Sequence, residues 1–129
     1  LNYKNKKKAE SKILFNLKKK KINLICLAGF MKILSKRIIN KYKDRILNIH
    51  PSLLPKYKGL NTHRRAIKNK ETVTGCTVHY VNENLDDGEI VLQKEVRIDN
   101  NDTEYTLADK VLKEEHIIYP EAIKLVLKK

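Results

Sequence analysis

The stretch Ile22-Asn23-Leu24-Ile25-Cys26-Leu27-Ala28 constrains the fold more than any other part of the chain. It is apolar almost throughout and too short to be a buried helix. Without alternation, it leaves no face for water, so it reads as a strand covered on both sides, as in parallel sheets flanked by helices. Gly29 ends it. Before it, within residues 1–21, Ala9, Ile13 (with Leu14) and Leu17 recur at helical spacing among lysines, giving one apolar stripe on a basic helix. After it, Ser35 is placed to cap a helix carrying Ile38, Ile39 and Tyr42. Residues 45–49 then read as a second parallel strand, which Pro51 forbids from continuing.

The remainder alternates between the same two periods. A loop over 51–55 is followed by a turn that Gly59 permits and a helix over 62–69. Residues 72–81 alternate, with Cys76, Val78 and Tyr80 on one face and Thr77, His79 and Val81 on the other. A turn over 82–88 joins them to an alternating strand over 90–98, which predicts an antiparallel hairpin. The cluster Asn101-Asp102-Thr103 opens a last helix with an apolar row of Leu107, Val111, Ile118, Ala122 and Val126. Glu115 stands where that row needs an apolar residue, a costly place for a carboxylate without a partner; periodicity alone does not decide its role. Pro120 removes a hydrogen bond to His116 and is expected to kink or restart the helix. The expected fold class is α/β: a mostly parallel sheet flanked by helices, with an antiparallel pair at one side. At 129 residues, with no repeat or linker, one domain is expected.

Charge raises the question of a nucleic-acid partner. The formal net charge is +13, but residues 1–21 hold nine lysines against Glu10 alone and so account for +8 of it. No arginine accompanies those lysines, and Tyr3 and Phe15 are the only aromatics among them, so stacking and bidentate phosphate capture are poorly served. No nucleic-acid partner is expected. No apolar run reaches membrane-spanning length and no leader is recognisable, so no membrane association is expected. Cys26 and Cys76 both fall in apolar strands, where buried free thiols are usual; that argues for a reducing, cytoplasmic setting. The four histidines show no close ligand pair, and no metal is expected.

Asn48 and His50 are two apart at the end of an apolar strand, so their side chains leave on one face. In α/β sheets, sites lie beyond the carboxyl ends of strands, where this pair falls. The same residues could also be a turn cap and a satisfied core histidine, and spacing leaves both readings open.

Five motifs in order change that balance: Leu27-Ala28-Gly29-Phe30-Met31-Lys32-Ile33-Leu34, Asn48-Ile49-His50-Pro51-Ser52-Leu53-Leu54-Pro55, Gly59-Leu60-Asn61-Thr62-His63-Arg64, Gly75-Cys76-Thr77-Val78-His79-Tyr80-Val81 and Leu85-Asp86-Asp87-Gly88. Together they resemble phosphoribosylglycinamide formyltransferase, over nearly all of 22–127. The resemblance implies a Rossmann-like formyltransferase fold and transfer of a formyl group from 10-formyltetrahydrofolate to the amine of glycinamide ribonucleotide, in purine synthesis. It implies that His50 is the general acid and oxyanion partner, and that Asn48 holds the formyl oxygen. Asp86 would sit beside His50 and favour its imidazolium. Backbone groups of Met31, Lys32, Ile33 and Leu34 would read the folate ring. Glu115 would bind the amino end of the substrate, and His63, His79 and His116 would be supporting residues.

Three departures change charge or shape without removing a catalytic group: Lys32 for the usual arginine, Asn61 for a common histidine, and acids flanking Gly88. The larger departure is that the family's glycine-rich phosphate loop has no counterpart. The only methionine is Met31, so the chain reads as a piece that begins mid-protein, with residues 1–21 a basic helix, 22–129 the catalytic core and the N-terminal βαβ portion missing. Such a piece would bind folate weakly, associate with itself through an exposed sheet edge, or be inert. Two alternatives remain: a methionyl-tRNA formyltransferase-like enzyme, which the 56–63 segment and the absence of residues for an RNA-binding domain disfavour, and a basic nucleic-acid-binding module.

Overall fold

In a computed structural model of the chain, residues 3–29 and 34–128 are described. Four helices and four strands follow the order α1 (Tyr3–Lys19), β1 (Ile25–Ala28), α2 (Lys36–Lys41), β2 (Ile46–His50), α3 (Thr62–Lys68), β3 (Val73–Tyr80), β4 (Ile90–Arg97) and α4 (Glu104–Leu127). The strands form one sheet in the order β1-β2-β3-β4. β1 and β2 pair in parallel, whereas β2–β3 and β3–β4 are antiparallel. The α/β architecture with flanking helices is as expected, but the sheet is mixed, and only one of its pairings is parallel. The cause is the path of the chain: α3 returns it so that β3 runs against β2, and the loop over 81–89 then reverses it into β4.

Alternation decides which layer covers which face. Leu47, Ile49, Cys76 and Val78 share one face and form a core with Leu107, Val111, Ile118 and Ala122 of α4. That helix is anchored by Thr103, whose hydroxyl accepts from Thr106 N while Thr106 reciprocates at the Thr103 amide. It passes through Pro120 without restarting. His116 and Pro120 are both exposed, so the carbonyl that the proline leaves unpaired can face water. The opposite face carries Ile46, which packs with Ile38 of α2, with Tyr42 at that helix's C-cap, and with Leu14 and Leu17 of α1. Ser35 is the N-cap of α2, as expected, although its side chain makes no capping bond.

Strand β1 departs from expectation. It begins at Ile25, because Ile22 instead closes α1 by donating to Leu17 O at 3.0 Å. Its residues alternate between half-buried and exposed, and Cys26 is exposed. The buried thiol expected there is thus corrected: β1 is an edge strand within the described residues, and nothing among them covers the Cys26 face completely. Cys76 is buried, as expected, and both thiols are free. No helix among the described residues is long and apolar enough to cross a membrane.

Candidate active site

β2 is buried at all five positions, two of them polar: Asn48 at 7% exposure and His50 at 6%. Both project from the Ile46 face at the carboxyl end of the strand. The cross-strand register sets His79 opposite Asn48 and Thr77 opposite His50, so four polar side chains share this corner of the sheet.

Two loops roof the corner. Thr77 donates to Ser52 O at 2.7 Å and accepts from Leu54 N, while Gln93 donates to Leu54 O at 2.8 Å. These bonds pin the 51–55 loop onto β3 and β4. Ser52, fully buried, donates to Lys56 O at 2.6 Å and draws the chain back so that Tyr57 O lies 2.8 Å from His50 Nε2. The second loop carries Asp86 in a left-handed conformation (φ 49°), which aspartate tolerates better than most residues. Asp86 Oδ2 accepts from Gly59 N at 2.8 Å, and Lys58 pairs with Asp87 at 2.7 Å, stitching the two loops together. Gly88 is required here, because a Cβ at that position would lie 1.6 Å from Tyr80 O.

The result brings together three of the residues singled out in the sequence. Asp86 Oδ1 lies 3.4 Å from His50 Nδ1, with both side chains below a tenth exposed. Both imidazole nitrogens of His50 therefore face oxygen acceptors, Asp86 on one side and the Tyr57 carbonyl on the other. Asn48 joins this pair through His79: its Nδ2 is 3.4 Å from His79 Nε2, which in turn lies 4.0 Å from Asp86 Oδ1. Burial pushes the His79 imidazole below its ordinary value, more than the Tyr80 carbonyl and Asp86 can offset. Among the described residues, Asn48 Oδ1 is buried without a partner, and so is Nδ1 of the neighbouring His63. Burial also lowers His63, and the nearby His50 lowers it further.

Other candidates lie elsewhere. Glu115 sits on α4, close enough to Cys76 for its charge to help push that thiol up to about 12, behind burial as the larger cause. Cys76 belongs to the core face of the sheet, so Glu115 lies on the side opposite Asn48 and His50, and no hydrogen bond among the described residues joins it to them. It is half-buried, and desolvation raises its carboxyl, with His116 partly opposing. Leu34 is half-buried against the α1–α2 cluster. Met31, Lys32 and Ile33 lie outside the described residues. Sequence reasoning gave His79 only a supporting place. The signal that it stands beside Asn48 is their cross-strand register, which is not written in either strand alone.

No group of three or more His, Cys, Asp or Glu among the described residues could hold a metal ion. An amide, an imidazole and a carboxylate, buried together at the end of a strand in a helix-flanked sheet, define the class: an α/β protein with a polar corner able to stabilise an oxyanion and move a proton. The formyl transferase family model matches residues 1–123, and the chain belongs to that family. It is 48% identical to the human trifunctional purine biosynthetic protein adenosine-3 over 124 residues, which is 96% of this chain and 12% of that protein. It is 46% identical to phosphoribosylglycinamide formyltransferase of Escherichia coli (strain K12) over 101 residues, 78% of this chain and 48% of that one. The crystal structure of phosphoribosylglycinamide formyltransferase from Brucella melitensis superposes with a TM-score of 0.88 at 49% identity, covering 94% of this chain and 62% of that one. The chain thus spans about half the length of the bacterial relative and a small part of the human one.

Proposed function

We propose that the chain carries the formyl-transfer site of a phosphoribosylglycinamide formyltransferase, moving a formyl group from 10-formyltetrahydrofolate to the primary amine of glycinamide ribonucleotide in purine synthesis. The observation that carries the reading is the buried Asn48–His50–Asp86 set, with an amide oxygen that has no partner among the described residues. The relatives' names support the substrate pair.

The chemistry needs no enzyme nucleophile. The amine attacks the formyl carbon, the new C–N bond forms as the carbonyl becomes an oxyanion, and the nitrogen gains positive charge. A proton then leaves that nitrogen, and the folate nitrogen departs with a proton of its own. Asn48 uses one amide hydrogen on His79 and has a second for the formyl oxygen. His50 supplies a proton to the oxyanion side, held by Asp86, which also anchors a water for the amine's proton. For this, Nε2 of His50 must leave the Tyr57 carbonyl; hydrogen bonds of an unliganded site commonly rearrange when substrate arrives. Folate is read by backbone groups of residues 31–34, and Glu115 meets the amino end of the ribonucleotide. The partners are small molecules, the setting is cytoplasmic, and residues 1–129 act as one domain with an open edge at β1 through which copies associate.

Incubation with both substrates and mass detection of N-formyl product tests the reading. His50→Ala should lower turnover by ~10²–10³-fold, the usual cost of one lost oxyanion donor. Turnover equal to that of the parent would remove His50 from the mechanism.

A further inference from the structure

Asn48 and His79 oppose each other directly across β2 and β3, and the β3–β4 register shifts between Val78 and His79. The partners of its two nitrogens assign the tautomer of the His79 ring. Its Nδ1 lies 2.9 Å from Tyr80 O, which can only accept, so Nδ1 carries the hydrogen. Gly88 makes room for that carbonyl. Nε2 is then a lone pair, and the group within reach is Asn48 Nδ2 at 3.4 Å. With its nitrogen committed to His79, the amide presents Oδ1, buried and without a partner among the described residues, as an acceptor. A primary amine brings the N–H it lacks.

We infer that His79 is a positioning residue: its Nδ1–H tautomer sets the Asn48 amide so that Oδ1 accepts from the attacking amine and directs the amine's lone pair at the formyl carbon. The inference rests on the formyl-transfer reading for the role of Asn48, but not for the tautomer. It also predicts an acid limb. The titratable groups facing the ring are Asp86, 4.0 Å from Nε2, and His50. Protonation of His79 puts a hydrogen on Nε2, which then seeks Asp86 Oδ1 or Asn48 Oδ1; the amide turns and the acceptor is lost. Because burial lowers the ring's pKa, this limb lies below the ordinary histidine value.

Two measurements test it. Two-bond proton–nitrogen correlations on histidine-labelled chain near neutral pH should show His79 as the Nδ1–H tautomer, with the Nε2 shift moving in Asn48→Ala. An Nε2–H tautomer, or an Nε2 shift indifferent to that substitution, overturns the proposal whether or not the chain turns over. In formyl-transfer assays, His79→Leu should lose on the order of 10²-fold in kcat, the cost of a misplaced reacting group, with KM nearly unchanged. His79→Gln, which keeps an acceptor, should recover most of that and lack the acid limb. Equal losses in Leu and Gln, or a loss confined to KM, would leave His79 a merely structural residue. Absence of product from the parent chain, with the tautomer as expected, would count against the formyl-transfer reading rather than against the placement of the amide.

Discussion

At the scale of single residues, the site depends on atoms that are absent as much as on those present. Gly88 has no Cβ because Tyr80 O occupies that space, and the same carbonyl holds His79. Gly88→Ala should therefore destabilise by about 3 kcal/mol, the upper end for overpacking, since the obstacle is backbone and cannot rotate away. Urea denaturation measures this, and a change below about 0.5 kcal/mol would contradict the tight approach. The two thiols make a second contrast. Cys76 is fully buried with its pKa pushed up to about 12, whereas Cys26 is exposed, though partial burial raises its pKa as well. The thiolate is the reactive form, so alkylation at mildly alkaline pH should label Cys26 slowly and leave Cys76 unmodified until the chain unfolds. Peptide mapping after timed labelling distinguishes them; equal labelling would be inconsistent with the core position of Cys76. Asn48, His50 and Asp86 were legible because short motifs carry them. His79 was not legible as Asn48's partner, because face can be read from alternation but register between strands depends on the fold.

At the scale of elements, the sequence shows boundaries best where local chemistry is strong. The Asn101-Asp102-Thr103 cluster marks the start of α4, and Thr103 is its N-cap. β1 starts three residues after the apolar run does, because the run begins in the α1 closure and hydropathy does not reveal which amides find a strand partner. Electrostatics reinforce the start of α4. Asp102 accepts from Lys110 at 2.6 Å, Asp99 N at 2.8 Å and Thr106 Oγ1 at 2.8 Å, and these bonds, led by Lys110, hold its carboxyl down at about 2. A carboxyl lowered in the folded state stabilises fully above its unfolded value and loses that contribution as pH falls toward the folded one. The stability gap between the parent and Asp102→Asn should therefore persist near neutrality and close between about pH 4 and pH 2. Chemical denaturation across that window tests it; a gap that stays constant would assign the role of Asp102 to packing instead.

At the scale of the whole molecule, the two edges of the sheet formed by the described residues are unequal. β4 exposes Gln93, Lys94, Glu95 and Arg97, the kind of charged edge that discourages further pairing. β1 offers Ile25, Cys26, Leu27 and Ala28, with no charge among them. A second copy is the occupant this edge would accept under ordinary conditions, as two β1 strands can pair around a twofold axis. Four residues limit what such pairing can achieve. A contact of that size falls in the range of wet, sub-800 Å² packing contacts rather than stable interfaces, which bury about 1,200–2,000 Å². Association should therefore be weak and governed by mass action: monomer in dilute solution, with a rising apparent mass as concentration increases in sedimentation equilibrium. Cys26→Lys places a charge on the edge, giving up the Cys26–Tyr119 hydrogen bond, and should hold the chain monomeric throughout. Association that survives this substitution would locate the contact elsewhere, and the exposed Phe15 and Ile13 of α1 would be the next surface to alter.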